Sequence, residues 1–424
     1  MQYWINKNNF LTLLLLIFCL QNSFAQENSP YSRYGLGNVR DQENIANRGM
    51  GGVSIADDNA QIANPTNPAT YTGLKLASYQ VGLVSHLATL KSENASNKVG
   101  YSTLAYVNIG FPISKNMGFS FGLLPVTSAR YNMQTVDSNK EAQSLATHSY
   151  YGGGGIQKVY IGTAYKIGDV SIGVNGGYQF GNITNSSESS FTDSLYILSN
   201  NIYGRTVLGG FFWQVGGLYT KALKHEYIIK IGATYHGATY MNAKKESHWE
   251  SFLDDNTTPV YAVDSIINSK GKVLMPQKIA FGVMLAHGDH WQIGADYNFA
   301  NWKSYTSYGF ADSMDNSSTF KIGGSFVPDV NSVNNYWKRM TFRAGFYTGK
   351  DIFNFRNTHL SKTAGTLGIG YPIRRTNNTI GQINLAVEIG SRGTINNQLI
   401  KENFTHLSLG FTFNDKWFLK RRYD

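Results

Sequence analysis

The chain has 424 residues, of which 15% are charged and 14% aromatic, with 44 Gly, only 9 Pro and a formal net charge of +10. The length is too great for one small domain, and no run of 18 apolar residues follows the N-terminus, which excludes a helical membrane protein. Two or three soluble domains or one large β-structure remain, and the abundant Gly, Tyr and Phe, low charge and scarce Pro favour the second, a membrane barrel included, because a barrel spreads its apolar residues over alternate positions.

Residues 1–25 read as a signal peptide. Lys7 supplies the positive start, Phe10 to Leu20 the apolar stretch, and Ser23-Phe24-Ala25 the small cleavage residues. Its removal takes away Lys7 and no acid, leaving +9 from +10. Cys19, the only cysteine, follows Phe18 rather than the small residue that lipidation requires, so the mature chain is expected to hold no lipid anchor, disulfide or thiolate metal site. The basic residues are scattered, which suits rims facing anionic lipid headgroups and gives no reason to expect a nucleic-acid partner.

Residues 26–73 are expected to form a hatch, or plug. The stretch Arg48 to Ala69 is too rich in Gly, Asn and Pro for one regular element, yet Val53, Ile55, Ala56, Ile62 and Ala63 mark it as packed rather than exposed. From residue 74 to 414 the period changes to two. The alternation predicts strands centred on Leu76–Leu87, Ser102–Ile113, Met117–Asn132, Gly155–Lys166, Val170–Asn182, Thr206–Thr220, Glu226–Met241, Lys278–Ala286, Trp291–Ala300, Thr319–Val327, Arg339–Thr348, Gly365–Tyr371, Gln382–Gly390 and Phe404–Asn414. One face of each is aromatic or aliphatic (Trp291, Ile293, Ala295, Tyr297, Phe299), and the other is Gly, Ser, Thr or Asn. That pattern fits lipid outside and a packed lumen inside better than a soluble sandwich.

The connections alternate. Ala88–Tyr101, Met133–Gly154, Ile183–Arg205 and Asn242–Gln277 read as long, while 114–116, 167–169, 221–225 and 287–290 are short. Outer-membrane barrels have this asymmetry, with short periplasmic turns. An even strand number puts both mature termini in the periplasm. Residues 415–424 are expected to be a periplasmic tail, with Trp417 and Phe418 at the interface and basic residues behind them. The fold expected is therefore all-β: an antiparallel membrane-spanning barrel of about 14 strands with an N-terminal plug in its lumen.

The sequence also resembles a family. Arg48-Gly49-Met50-Gly51-Gly52, the pair Asp57-Asp58 and Asn67-Pro68-Ala69 are similar to the hatch signature of the FadL/TodX outer-membrane transporters. The S-P-Y-S-R-Y-G-L-G opening and W-F-L-K-R-R-Y-D ending resemble its Bacteroidetes branch. The resemblance implies fourteen strands, a hatch, a Gram-negative outer membrane, the barrel-assembly machinery as the partner during biogenesis, and passage of hydrophobic molecules. No residues matching a fatty-acid carboxylate site are found. The superfamily also holds barrels resembling secretion shuttles and others that accompany larger machines.

Several features carry candidate roles. Pro125 removes a ladder donor inside the third strand, so a kink is expected there. In the resembled family a kink in that strand opens a lateral path, which makes Pro125 a candidate gate. The alternative is that the strand ends at Leu124. Alternation points Lys230, Asp296, Lys321, Arg343 and Glu388 into the lumen, where Asp57 and Asp58 are placed to pair with the three cations. Such pairs would be either a latch that yields to ligand or a static network. Met50, Val53, Ile55 and Ile62 are candidate ligand-facing residues of the hatch. Gly118-Phe119-Ser120-Phe121-Gly122 matches a nucleophile elbow, and Gly152–Gly155 a phosphate loop, but both lie in strand patterns with no helix after them. The nine histidines show no ligand spacing, so no catalytic residue, metal or cofactor is expected. The functional expectation is a passive channel for small hydrophobic molecules of the long-chain fatty acid or hydrocarbon class, gated by its plug. The alternative is a plugged barrel acting as a structural or docking subunit of an outer-membrane secretion or assembly complex.

Overall fold

A computed structural model describes residues 29–138, 145–192, 198–252, 267–312, 314–332, 335–374 and 380–416. The expected signal peptide, and residues 417–424 of the tail, lie outside these. Fourteen antiparallel strands close into one barrel. They are β1 (Ala77–Lys91), β2 (Ser96–Ser114), β3 (Met117–Pro125, resuming at Tyr131–Ser138), β4 (Leu145–Ile167), β5 (Val170–Thr192), β6 (Ser199–Ala222) and β7 (Tyr227–His236 and Thr239–Phe252). The circuit continues through β8 (Ile267–Met275 and Lys278–His287), β9 (Trp291–Ala300), β10 (Ser317–Phe326), β11 (Thr341–Phe355), β12 (Thr358–Arg374), β13 (Ile380–Arg392) and β14 (Lys401–Asp415). Each pairs with its neighbours in sequence, and β14 returns to β1 through Ala77↔Asp415 to Lys91↔Lys401.

Period-2 patterning explains both faces. Outward side chains form an apolar belt in which Phe211 is 78% and Leu367 67% exposed, while the inward partners are small or polar. That is the inversion a lipid-facing wall requires. The two ends of the chain's wall, Ala77 and Asp415, meet on the rim that carries the tight turns between β2 and β3, β4 and β5, and β6 and β7.

The opposite rim differs from expectation. The segments expected as long loops are largely ladder. β1 and β2 run on to Lys91 and from Ser96, and β4, β5 and β6 reach 23, 23 and 24 residues, against 10 each for β9 and β10. A strand needs only about 9–11 residues to cross the bilayer. Above that height both faces see polar surroundings, so the backbone ladder persists while the alternation that betrays it disappears.

Residues 29–73 occupy the lumen. An arm crosses the far end, where Tyr31 and Leu36 join Val126, Ile156, Trp302, Tyr305, Met314 and Phe353 in an apolar cap. Below it lies one helical turn, Ile45–Arg48, capped by Asn44, whose side chain accepts from Asn47 N at 3.0 Å. The segment ends in a 3-10 turn, Pro68–Gly73, capped by Asn67.

Candidate functional site

Three asparagines hold the inner segment to itself. Asn47 Nδ2 donates to Val53 O (2.7 Å) and Asp57 Oδ2 (2.6 Å). Asn64 Nδ2 donates to Ser54 O (2.6 Å), and Asn67 Nδ2 to Ile55 O (2.7 Å) and Gly217 O of β6 (3.1 Å). Arg48 turns back onto its own segment, donating to Asp41 O and Glu43 O. Gly51 and Gly52 have φ of +70° and +80°, the left-handed region, and make the sharp turn of the motif.

The wall receives this segment on glycine. A Cβ at Gly345 would lie 2.2 Å from the nitrogen of Gly51, at Gly323 2.1 Å from Met50 O, at Gly232 2.3 Å from Ile55 O, and at Gly118 1.9 Å from Tyr71 O. Gly49 meets Gly368 and Pro68 meets Gly173 in the same way. Backbone meets backbone in this way on β3, β5, β7, β10, β11 and β12, while glycines of β2, β6, β8, β9 and β14 receive side chains of the segment. Polar clamps reinforce them. Asp296 Oδ2 accepts from Ser54 N (2.7 Å) and Ile55 N (3.0 Å), and Thr366 Oγ1 accepts from Gly51 N (2.8 Å). At the seam where the barrel closes, the Gln61 carbonyl accepts from Ser78 Oγ of β1 and from Asn414 Nδ2 of β14, each at 2.7 Å.

The five lumen charges lie on the inner face, where one of the expected pairings is present and the other partners differ. Lys230 pairs with Asp58. Lys321 pairs with Glu43 rather than an aspartate of the motif, because Glu43 hangs from the arm above it. Arg343 donates to Asn384 Oδ1 (3.0 Å), and Glu388 accepts from Tyr347 and lies 3.2 Å from His406. Asp57 has no cation within pairing distance among the described residues. It is buried against Asn47, and burial raises its carboxyl pKa against the pull of Lys230 and Asn47.

Between the segment and the apolar cap lies a cavity of about 400 Å³. Its floor includes Glu43, Gly51, Gly52, Ser54, Ile55 and Thr66, and its walls carry His86, Lys158, His236, Lys278, Lys362, Arg392 and Glu402. Of the four candidate ligand-facing residues, only Ile55 lines it. Met50, Val53 and Ile62 are buried, Met50 and Val53 against the wall glycines, Gly323 and Gly294, that alternation alone did not identify as receivers.

Pro125 marks a real discontinuity. β2 pairs with β3 only from Val107↔Leu123 to Ser114↔Met117. Beyond Pro125 the chain dips inward, and Thr127–Ser128 forms a short ladder with Asn38–Val39 of the arm. It stays tied to β4 through Val126 N to Ile156 O (2.8 Å) and Ala129 N to Gly154 O (3.0 Å), and the ladder resumes at Tyr131↔Gly152, opposite the glycine run, where a Cβ on Gly155 would meet Thr127 O at 2.4 Å. Among the described residues, Ser96 to Tyr106 of β2 has no strand partner on this side, and the cavity reaches Val99, Tyr101, Thr103 and Leu104 there. Arg40 stands inside this window, against His86 and Tyr101. Ser120 of the elbow-like motif is buried in β3, donating to Ile109 O (3.0 Å) with no strand-to-helix turn.

A family model described as BamG matches residues 6–424. No curated protein matches the sequence. Among solved structures, the chain is similar to the Ralstonia pickettii toluene transporter TbuX, at 16% identity over 90% of this chain and 99% of that one, with a TM-score of 0.58. It is also similar to a Pseudomonas aeruginosa FadL homologue (12%, 89% and 98%, 0.56) and to the P. putida toluene transporter TodX (12%, 91% and 100%, 0.55). At these identities the likeness is one of fold, the FadL type of outer-membrane barrel.

Proposed function

We propose that this chain, which belongs to the BamG family, is a plugged outer-membrane barrel serving as a structural subunit of the barrel-assembly machinery. The observation that carries this reading is the ring of wall glycines against which the backbone and short side chains of the inner segment pack. A molecule moving along the axis would have to displace a segment bonded to most of the wall, and interiors packed this closely yield in discrete rearrangements rather than by small give. The Bam prefix of the family's name supports the choice of machine. In this reading residues 26–73 are a static plug, the charge pairs are a structural network, and the apolar belt faces outer-membrane lipid. In the same reading the rim of tight turns and both mature termini face the periplasm, and the resemblance of the opening and ending signatures supports the Bacteroidetes branch.

The test is purification of tagged protein from native membranes in mild detergent, with mass spectrometry of proteins and small molecules. The expected result is a stoichiometric component of the barrel-assembly machinery and no bound hydrocarbon. A bound fatty acid or hydrocarbon without a stoichiometric protein partner overturns the subunit reading.

That outcome would favour a second reading, supported by the window beside Pro125. Small hydrophobic molecules of the fatty acid or hydrocarbon class would pass between cavity and bilayer through a lateral gate, with plug movement and a yielding Asp58–Lys230 pair controlling the inward step.

A further inference from the structure

The two sides of the cavity differ in charge balance. On the side of β12 and β13 each cation that lines the cavity has an acid. Arg392 pairs with Asp351 and Glu402, and Lys362 lies 3.5 Å from Asp41 and 3.7 Å from Glu388. On the side of β4 to β8, Lys158 and Lys278 face the same space, and among the described residues neither is ion-paired. Lys158 is 4% exposed. Its ammonium donates to the neutral Gln42 Oε1 (2.6 Å) and sits 5.1 Å from the ring centre of Phe212. Lys278 pairs across the sheet with His236, whose ring stacks on the same Phe212. Gln179, directly across the ladder from Lys158, is 2% exposed and has a buried Oε1 without a partner.

We propose that Lys158 and Lys278, flanked by His236 and Gln179, form a binding site for a phosphate monoester group, reached through the window between β2 and β3. Lys158 is buried and Lys278 half-buried, both line the same cavity, and neither has a carboxylate within pairing distance, so each must shed its proton or be neutralised by an anion. A carboxylate would offset only one. A phosphate monoester carries about −1.5 to −2 at neutral pH and matches both. Lysine suits the group as a point charge, and Gln179 supplies a further donor with its amide turned so that Nε2 takes the place of the unpartnered Oε1.

Location points to the source. Lys158 pairs with Leu124, and Gln157 with Pro125, so the site lies beside the base of the window. Gln157 also pairs with Phe180, an outward residue near the upper edge of the apolar belt. A headgroup at the outer-leaflet interface is therefore level with the opening. Free phosphate shares the chemistry, and the test separates the two. The proposal does not rest on the subunit reading, because a sealed lumen and a transporting one would both hold this site.

The test uses full-length mature barrel in two arms. One is calorimetric titration with inorganic phosphate in neutral detergent. The other is native mass spectrometry after release from phosphatidylcholine nanodiscs containing phosphatidic acid. Wild type is compared with K158M/K278M and K158R/K278R, each checked for a folded barrel by heat-modifiable electrophoretic mobility. The expected result is binding in at least one arm, weakened by about tenfold or more for each lysine neutralised and retained in the arginine pair. Binding in both arms identifies a general phosphate site. Binding in the lipid arm alone identifies a headgroup site, and in the phosphate arm alone a free-oxyanion site. Absence of binding in both arms, or equal binding by K158M/K278M, overturns the proposal. If K158M/K278M fails the mobility check, K278M alone decides by the same criterion.

Discussion

Asp296→Ala should loosen the inner segment more than any other single change on the wall. One carboxylate oxygen of Asp296 accepts two backbone N–H groups, from Ser54 at 2.7 Å and Ile55 at 3.0 Å, and the residue is 1% exposed. A hydrogen bond to a charged group contributes about 1.5–3 kcal/mol. Both are lost together, and the two donors are left without an acceptor. Water from the cavity above can reach part of that site, so a loss near the lower bound, about 3 kcal/mol, is expected. At about 1.4 kcal/mol per factor of ten, the open population of the segment should rise about a hundredfold. A single cysteine at Ala56, which is fully buried, reports it through labelling by a membrane-impermeant maleimide. Asp296→Asn keeps an acceptor oxygen without its charge and should give roughly half the effect in free energy. If A56C labels at the same rate with and without D296A, the clamp does not hold the segment and the reasoning fails.

Three further changes use the same assay. Gly345→Leu places a side chain where a Cβ alone would lie 2.2 Å from Gly51 N. It should destabilise docking by at least about 1–3 kcal/mol, whereas Gly365→Leu, with nothing within 4 Å, should label like the parent. Asp57 has its docked pKa raised above the ordinary 3.8, so the docked state binds more protons than the released one. Its contribution is complete below 3.8 and is lost as pH rises through the raised value. Labelling, divided at each pH by the rate of a freely exposed cysteine, should therefore slow on acidification, and Asp57→Asn should flatten that corrected profile even with Asp58, Lys230 and Arg343 still present. Lys230→Met strands Asp58 and should speed labelling, while D58N/K230M should recover much of the loss, the double-mutant signature of a direct pair.

The fourteen strands were legible because lipid outside and polar packing inside write a period of two into each crossing. Where that contrast ended, so did legibility: Ala88–Lys91, Ser96–Tyr101 and most of 145–154 are ladder that reads as loop. Alternation puts the five charges on one face, and Asp58 could be named as a partner for the cations there, but the partners of Lys321, Arg343 and Glu388 could not. Glu43 precedes the recognisable motif, and nothing local ties it to Lys321. The glycines of the motif stood out, whereas those that receive it, such as Gly232, Gly323 and Gly345, look like ordinary polar-face residues until the backbone opposite them is known. Lys158 carried one readable signal: it shares the inward phase of Ile156 and Tyr160, an odd place for an ammonium.

The Gln61 carbonyl, gripped by β1 on one side and β14 on the other, works as a clasp. Those two strands are the first and last of the wall, and their pairing is the only seam that joins distant ends of the barrel sequence. A single carbonyl bonded to both means that a strand peeling from the seam also loosens the segment, and a segment leaving its seat removes one of the links across the seam. Closure of the wall and seating of the N-terminal stretch therefore reinforce each other.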